Sequence, residues 1–219
     1  MSDAANQKHI EDLRRLPTGV VCDALGRLGL SGFTDGLYPF RRDSKMAGRA
    51  RTVRFAAKRG AAKMDFNIYR FIRTLDPGDV LVIATDLADS WIYGENMAHE
   101  AQYHGLGGVV ADCMARDATQ LSDLDIPCFA RGAAVRPPGF EFIATDVPVS
   151  LAGAQVHPGD VLTGDADGIV VVPAAHLANV TLQALDLDHL ETLQEQAIAA
   201  RAPLPELLAV LARKKIVKT

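Results

Sequence analysis

The sequence predicts an α/β protein with a mixed β-sheet. Helical patterns and short apolar runs alternate through the middle of the chain, and short strands separated by Gly, Pro and Asp turns follow over 147–173. A long helical segment begins at Ala174. Alternation of helices and strands is typical of parallel pairing, whereas the later turns favour antiparallel hairpins. Two sheets packed on one another remain an alternative to a single mixed sheet.

The first part of the chain predicts two helices followed by a loop and a strand. We expect helices over 8–16 and from Thr18 to Gly29, with Thr18 as the N-cap and Gly29 as the C-terminal stop. Glycine and proline make 30–49 a long loop with turns, and the alternating residues 50–56 predict a half-buried strand.

The central and C-terminal parts continue this alternation. The patterns predict helices over 63–75 and 94–103, a helix starting within 116–121, and strands over 80–84, 108–112 and 126–130. From Ala174 we expect a helix of about 27 residues and then a second helix near 203–213. The charged face of this helical pair suggests that it packs on a neighbouring subunit.

Composition and charge exclude several classes of protein. The chain has 219 residues, 48% of them apolar, and a net charge of −4, so we expect one globular domain and no nucleic-acid partner. No apolar run is long enough to cross a membrane, and the N-terminus lacks the apolar region of a signal peptide. Three widely spaced cysteines suggest reduced thiols, and we expect a cytoplasmic protein.

A candidate site follows from the spacing of Glu95 and the pair Arg116–Asp117. The ten-residue helix 94–103 carries the chain about 15 Å in one direction, and a five-residue strand returns it by about 16 Å. These side chains should therefore meet at the edge where strands end and helices begin, the usual ligand crevice of α/β folds. A structural salt bridge is the alternative interpretation of Arg116–Asp117.

Several segments together resemble the RraA-like family, which includes 4-hydroxy-4-methyl-2-oxoglutarate/4-carboxy-4-hydroxy-2-oxoadipate aldolases. The resemblance covers about 200 residues and rests on VCDALGRLG, AGRARTV, GDVLVIA, GENMAHEA, GGVVADCMARD, IPCFARG and GDVLTGDADGIVVVP. Aldolases of this family carry an acidic residue, twenty intervening residues and Arg-Asp, which correspond here to Glu95 and Arg116–Asp117. The implied fold is an RraA-like swivelling β/β/α sandwich with C-terminal helices.

The resemblance also implies a role for each residue of the site. Asp117 would hold a divalent cation, Mg²⁺ or alternatively Mn²⁺ or another metal, directly or through water. Arg116 would bind the carboxylate side of a 2-oxo acid and offset enolate charge. Glu95 would position or deprotonate a water, and the backbone N–H groups of Asn96 and Met97 would hold the pyruvyl carboxylate.

In this family the site lies between subunits, which implies a homo-oligomer, either a trimer or a hexamer. A glutamate from the neighbour's C-terminal helix would approach the metal, and Glu191 is our first choice, with Glu195 in reserve. A solvated helix face is the alternative explanation for both. We therefore expect one RraA-like aldolase domain over 1–219, with 174–219 as a helical extension onto a neighbouring subunit.

The function implied is a class II aldolase that releases pyruvate from 4-hydroxy-2-oxo acids, with oxaloacetate decarboxylation as a side activity. The alternative is a non-catalytic regulator that binds ribonuclease E, like the founding member of the family. The acid–Arg–Asp set favours the enzyme. Two departures affect substrate choice and metal affinity: Gln120 replaces a frequent acid, and Glu95 is one methylene longer than the usual Asp.

Four further side chains near this edge have open roles. His99 follows Glu95 by one helical turn and is either directed towards the site or an ordinary surface or core histidine. Arg131 contacts either a distal substrate carboxylate or a nearby acid of the protein. Trp91 and Tyr93 either line the pocket or pack the loop before the helix.

Overall fold

A mixed β-sheet lies at the centre of the protein. The structure is a computed structural model that describes residues 3–60, 66–86, 89–136 and 139–218. Within these residues, nine strands form one sheet and β8 and β9 form a separate hairpin. The strands are β1 (Tyr38–Pro39), β2 (Met46–Ala57), β3 (Val80–Thr85), β4 (Trp91–Tyr93), β5 (Gly108–Ala115), β6 (Cys128–Ala133), β7 (Phe140–Thr145), β8 (Val149–Leu151), β9 (Ala154–Val156), β10 (Val161–Asp165) and β11 (Gly168–Val172).

Helices cover the faces of this sheet. They are α1 (Asp3–Arg15), α2 (Thr18–Arg27), α3 (Ile68–Ile72), α4 (Glu95–Tyr103), α5 (Ala118–Asp123), α6 (Leu177–Ala199) and α7 (Leu204–Arg213), and a 3₁₀ turn, Ala174–His176, precedes α6. In the described part of the chain, no helix has the length and apolar character needed to span a membrane.

The main path of the sheet has the strand order β1-β6-β5-β3-β2-β10-β11. The strands β2, β3, β5 and β6 pair in parallel, and β4 runs parallel to β5 beyond the end of β3. The pairs β2–β10, β10–β11, β2–β7 and β1–β6 are antiparallel. A bridge between Phe33 and Val170 joins the chain ahead of β1 to β11, so the sheet is nearly closed.

Apolar residues bury both faces of the sheet. One core cluster lies beneath α3, α4 and α5, and a second lies between the sheet and the β8–β9 hairpin. The third packs α1, α2 and α6 against β10 and β11. In this third cluster Val180, Ala184 and Leu187 of α6 are buried within their own chain. Part of the 174–219 segment therefore packs on its own chain. That its exposed surfaces pack on a neighbouring subunit stays a prediction.

The predicted alternation of helices and strands is confirmed, but the cap of α2 is not. Pro17 occupies the N-cap position, and Thr18 is the first helical residue. The carboxylate of Asp165 accepts hydrogen bonds from the Thr18 N–H (2.9 Å) and hydroxyl (2.7 Å). The capping acceptor thus comes from a residue 147 positions away, which local sequence could not indicate.

The helix predicted over 63–75 is shorter in the described residues. It runs from Ile68 to Ile72, and Asn67 caps it by accepting the Arg70 N–H at 3.1 Å. Positions 63–65 of the predicted helix lie outside the described residues. The predicted loop over 30–49 contains β1 and the start of β2, and the sequence patterns missed β4 and β7. These strands are short or irregularly paired, so they carry little periodicity of their own.

Candidate active site

An open cavity of about 860 Å³ lies at the carboxyl end of β5. Its charged and aromatic walls are Asp89, Trp91, Arg116, Asp117 and Arg136, and Ala118 and residues 133–135 provide small apolar surface. The cavity lies beside the start of α4, as the spacing of Glu95 and Arg116–Asp117 predicts. Such a position, outside the carboxyl ends of strands, is where α/β folds commonly bind ligands.

The structure brings Glu95, Arg116 and Asp117 together. The Glu95 N–H donates a hydrogen bond to Asp117 Oδ2 at 3.2 Å, and the Arg116 N–H donates to the Tyr93 carbonyl at 3.1 Å. Both bonds join the segment after β5 to the segment that opens α4. The predicted return of these residues to one edge of the sheet is therefore confirmed as geometry.

Asp117 adopts an unusual backbone conformation. Its φ of 63° and ψ of 45° lie in the left-handed region, which costs a non-glycine residue roughly 1 kcal/mol or more. This residue is the N-cap of α5, and the reversal of the chain there turns its carboxylate back towards α4. Aspartate tolerates this conformation better than most residues, and such strain is often found at functional sites.

Trp91 orients the guanidinium group of Arg116. The Arg116 Cζ lies 4.1 Å from the centroid of the Trp91 ring, and its Nε lies 3.4 Å from Asp117 Oδ2. The Arg116 side chain nevertheless remains 48% exposed and lines the cavity, so it keeps donors that a ligand can reach. Of the two roles considered for Trp91, the structure supports pocket lining.

The layer beneath this edge is apolar and unreactive. Tyr93 is fully buried and its hydroxyl donates to the Phe129 carbonyl at 3.3 Å, so its role is packing. Burial raises the pKa of the Tyr93 hydroxyl well above its usual range. Burial likewise raises the pKa of the Cys113 and Cys128 thiols to about 12, which keeps both protonated at neutral pH.

Gly94 allows the close approach of these segments. A Cβ at this position would lie 2.6 Å from Asp117 Oδ2 and 2.8 Å from Arg116 Cγ, distances that require displacement of both side chains. Its φ of −159° is ordinary extended backbone, so the requirement for glycine is steric. The sequence analysis singled out Gly94 only as the beginning of a helix.

The first turn of α4 presents backbone donors at this edge. Gly94 is the N-cap and supplies no side-chain acceptor to the turn that contains Glu95, Asn96 and Met97. The first N–H groups of an α-helix have no partner within the helix. The side chain of Asn96 is exposed, whereas that of Met97 packs against the core beneath α4. Backbone binding of a carboxylate by these two residues stays a prediction.

Two histidines on or just after α4 have separate surroundings. His99 Nε2 lies 3.6 Å from Glu95 Oε1, and the His99 ring stacks on Tyr103 with centroids 5.6 Å apart. His104 Nε2 lies 2.9 Å from the Leu75 carbonyl, so it fixes a loop. His99 thus faces the acidic residue of the site, which favours the first of the two roles considered for it.

Arg131 does not line the cavity. Its Nε donates to Asp112 Oδ1 at 2.6 Å, and Asp112 Oδ2 accepts the Ala152 N–H at 2.6 Å. Of the two roles considered for Arg131, the structure supports pairing with an acid of the protein. The cationic residue that sequence reasoning missed is Arg136, three residues after β6 ends. Its position just beyond the carboxyl end of a strand was the one available signal.

Glu191 and Glu195 line a different groove of their own chain, with a volume of about 480 Å³. Asp23, Asp167 and Asp188 lie in the same groove, and the Lys214 ammonium contacts Glu191 Oε1 at 2.5 Å. Across the described residues, no group of three or more His, Cys, Asp or Glu side chains is arranged to hold a metal ion. The approach of either glutamate to the Asp117 of another subunit stays a prediction. Gln120, which stands where the family often has an acid, is exposed on α5.

Comparison with protein families adds to this geometry. The family model described as "RraA-like: Aldolase/RraA" matches residues 18–171, which include the whole cavity wall. The chain belongs to the RraA-like family. A protein of Halalkalibacterium halodurans, named "Putative 4-hydroxy-4-methyl-2-oxoglutarate aldolase", is 32% identical over 194 residues, covering 87% of this chain and 88% of its own.

Solved structures share the RraA-like fold. An uncharacterized protein from Pseudomonas syringae pv. tomato has a TM-score of 0.82 and 27% identity, with 93% of both chains covered. Streptomyces coelicolor RraAS2, described as an unusual member of the RNase ES inhibitor RraA protein family, has a TM-score of 0.79 and 26% identity over 86% of this chain and 97% of its own. The fold expected from the sequence resemblance, with its C-terminal helices, is confirmed.

Proposed function

We propose that the protein is a divalent-metal-dependent carbon–carbon lyase that releases pyruvate from 4-hydroxy-2-oxo acids such as 4-hydroxy-4-methyl-2-oxoglutarate. The observation that carries the proposal is that Arg116 and Asp117 line one open cavity, while the Glu95 N–H donates a hydrogen bond to Asp117. Membership of the Aldolase/RraA family and the name of the Halalkalibacterium relative support the same reaction class.

The surroundings of Asp117 fit a magnesium ion. The hydrogen bond from Glu95 N–H and the contact with Arg116 both fall on Oδ2, and among the described residues these contacts leave Oδ1 for a cation. Mg²⁺ prefers hard oxygen ligands, keeps several waters and is commonly held by one or two carboxylates, and Mn²⁺ suits the same ligands. When bound there, such a cation would act as a Lewis acid on the 2-oxo group of the substrate.

Arg116 would bind the carboxylate next to the 2-oxo group. Its planar guanidinium matches a carboxylate in a two-pronged geometry, and stacking on Trp91 limits the directions it adopts. The N–H groups of Asn96 and Met97 would hold the same end of the substrate. As the reaction proceeds, the positive charge of Arg116 stabilises the enolate that develops beside it.

Glu95 would assist transfer of the proton that leaves the C4 hydroxyl of the substrate. In the cleavage the C3–C4 bond breaks, the C4 hydroxyl loses its proton to become a carbonyl, and the bonding electrons pass to C3. The resulting pyruvate enolate then takes up a proton at C3. The Glu95 side chain is partly exposed and its backbone is hydrogen-bonded to Asp117, so Glu95 would position a water that accepts and returns this proton. Loss of CO₂ from oxaloacetate leaves the same enolate, which is the reason to expect decarboxylase activity.

We further propose that the enzyme is a cytoplasmic homo-oligomer, trimeric or hexameric, with Glu191 completing the Asp117 site of a neighbouring subunit. Asp117 is the carboxylate that one chain brings to the proposed metal position, and Glu191 is partly exposed on α6. The described residues of one chain form no group of three or more acidic, His or Cys side chains arranged to hold a metal, so an acidic side chain from another copy would add a ligand.

A non-catalytic regulator is the second candidate. The similarity to Streptomyces coelicolor RraAS2, which belongs to the RNase ES inhibitor RraA family, favours this candidate. A regulator needs a binding surface but has no need for a strained aspartate beside a half-exposed guanidinium at an open cavity. The candidate site therefore favours the enzyme.

The test is the release of pyruvate. The protein is incubated with 4-hydroxy-4-methyl-2-oxoglutarate and separately with oxaloacetate, in the presence of Mg²⁺ or of EDTA. We expect pyruvate with Mg²⁺, its loss with EDTA and its recovery when Mg²⁺ is restored. Arg116→Ala, checked for folding by circular dichroism, is the control for contaminating lyases. Absence of pyruvate from both compounds with folded, metal-supplied protein would contradict the proposal.

A further inference from the structure

The cavity extends beyond Arg116 to a second guanidinium group, that of Arg136. The Ala134 N–H donates to the Ala115 carbonyl at 2.9 Å, so the segment that follows β6 starts beside the residue before Arg116. Two residues later, Arg136 lines the same cavity of about 860 Å³. The same cavity is also lined by the small apolar residues over 133–135.

We propose that Arg136 determines specificity by binding the second carboxylate of a dicarboxylic 2-oxo acid. This inference rests on the proposed function, because it assigns the 2-oxo end of the substrate to Arg116. A substrate such as 4-hydroxy-4-methyl-2-oxoglutarate carries a carboxylate at each end, and the far carboxylate then requires a cation further along the cavity. Among the described lining residues, Arg136 is the one other cationic side chain.

The contact between Arg136 and Asp89 leaves donors for a ligand. Asp89 Oδ2 contacts Nη1 of Arg136, whereas a guanidinium carries five N–H donors. Both side chains are more than half exposed, at 65% and 58%, so the pair contributes little to stability. A substrate carboxylate can therefore bind Arg136 beside Asp89, or replace Asp89, without breaking a buried interaction. Before a substrate binds, the contact with Asp89 holds the Arg136 guanidinium at the cavity wall.

Arg131, the cation that sequence reasoning considered for this role, is not available. Its Nε is held by Asp112, a carboxylate that also accepts the Ala152 N–H. Asp112 is buried, and withdrawal of Arg131 towards a ligand would leave this carboxylate without its cation. Within the described residues, the ion-pair partner of Arg136 is Asp89, whose side chain is exposed to water. A ligand carboxylate that displaces Asp89 would therefore leave no buried charge unpaired.

The kinetic test compares two substrates that differ only at the far end. 4-Hydroxy-4-methyl-2-oxoglutarate has a carboxylate there, and 4-hydroxy-4-methyl-2-oxopentanoate has a methyl group. For Arg136→Gln we expect kcat/KM to fall by about 10- to 100-fold with the dicarboxylate and by less than about 2-fold with the monocarboxylate, since a hydrogen bond to a charged group is lost only with the first. Arg42→Gln, an exposed arginine away from the cavity, controls for the change in net charge.

A binding measurement separates this inference from the proposed function. Calorimetry with 2-oxoglutarate and 2-oxopentanoate, in the presence of Mg²⁺, requires no turnover. The native protein should bind 2-oxoglutarate at least about 10-fold more tightly than 2-oxopentanoate, and Arg136→Gln should lose this preference. Asp89→Asn should retain or increase it, because the competing carboxylate is removed.

The outcomes are distinct. If the native protein cleaves the dicarboxylate but Arg136→Gln weakens both substrates equally, the assignment of Arg136 is overturned and the lyase stands. Equal losses in Asp89→Asn and Arg136→Gln would also overturn it, because the pair would then serve the structure of the wall. If no compound is cleaved but Arg136 still confers the preference in binding, the assignment holds and the proposed reaction fails.

Discussion

Two aspartate–arginine pairs lie near the end of β5, and they have opposite characters. Asp112 and Arg131 face each other on neighbouring strands, and both oxygens of the buried Asp112 accept hydrogen bonds at 2.6 Å. Asp117 and Arg116 follow the end of β5, where the arginine is 48% exposed and its Nε lies 3.4 Å from the carboxylate. Both carboxylate oxygens of Asp112 are used by the fold, whereas Arg116 and Asp117 are more exposed and line an open cavity.

This difference shows what separates a structural ion pair from a candidate catalytic one. A buried carboxylate needs all its partners from the protein, and removal of one leaves a charge that water cannot reach. The exposed ion pair itself contributes little to stability, and the backbone strain at Asp117 turns its carboxylate towards the start of α4. The strain, the exposure and the open cavity together support the proposal that Arg116–Asp117 is the functional pair.

The largest effect is expected for Arg116→Ala. Loss of a cation that stabilises developing enolate charge should lower kcat/KM for pyruvate release by about 10²- to 10³-fold. Because the side chain is half exposed, the free energy of unfolding should change by less than about 1 kcal/mol. Steady-state kinetics and urea unfolding of the same preparation test both halves, and near-native turnover would remove Arg116 from the mechanism.

Arg131→Ala should show the reverse pattern. The buried Asp112 would lose its cation, so we expect the free energy of unfolding to fall by about 3 kcal/mol. Turnover per folded molecule should stay within a few-fold of the native value at low temperature. A double-mutant cycle with Asp112→Asn, followed by chemical denaturation, measures the coupling between the two. A large loss of activity without loss of stability would mean that the two pairs do not differ in role.

Gly94→Ala sharpens the comparison without changing any charge. The new methyl group would displace Asp117 and Arg116, and misplacement of catalytic groups by about 1 Å costs up to about 100-fold in rate. We expect kcat/KM for pyruvate release to fall by about 10- to 100-fold, and by about the same factor for 4-hydroxy-4-methyl-2-oxoglutarate and oxaloacetate. The helix content should not change. Gly26→Ala is the matched control, because no atom lies within 4 Å of its Cβ position and alanine favours the helix. Equal activity of the two variants would contradict the steric argument.

The smallest effect is expected for Glu191→Gln. This variant tests whether a glutamate of another subunit adds a metal ligand to the site of Arg116 and Asp117. Loss of one of several metal ligands should raise the Mg²⁺ concentration for half-maximal activity by about 10-fold. Glu195→Gln is the matched control on the same helix and groove. Metal titration of both variants decides between them: a shift with Glu195→Gln alone would transfer the role to Glu195, and no shift with either would leave the Asp117 site without a glutamate from α6.

The sequence alone was sufficient to predict that the central residues of the candidate site meet. The lengths of α4 and β5 return the chain to one edge, so that Glu95 and Arg116–Asp117 meet, as the contact between Glu95 N–H and Asp117 shows. The same reasoning could not decide between Arg131 and Arg136. That choice depends on which arginine a buried aspartate binds, and Asp112 is brought to Arg131 only when β5 and β6 pair.

Parts of the fold were also beyond local patterns. The strand β7 pairs with β2 through an irregular register near Arg54, and β4 is three residues that extend alongside β5. Such elements are stabilised by partners distant in the chain rather than by their own periodicity. Thr18 shows the same limit, because its N–H and hydroxyl are bound by Asp165 of β10.

The sequence motifs carried the family resemblance. Hydrophobic periodicity and spacing determined most of the order of helices and strands and the edge at which Glu95 and the Arg116–Asp117 pair meet. Both act over a few turns of chain, within the range where side-chain pattern dictates backbone direction. Only the tertiary structure decided which carboxylates are buried and which are open, because burial depends on segments that pack from elsewhere. The Ala152 N–H donates a hydrogen bond to the buried Asp112, whereas the segments around Asp117 leave an open cavity that Arg136 also lines.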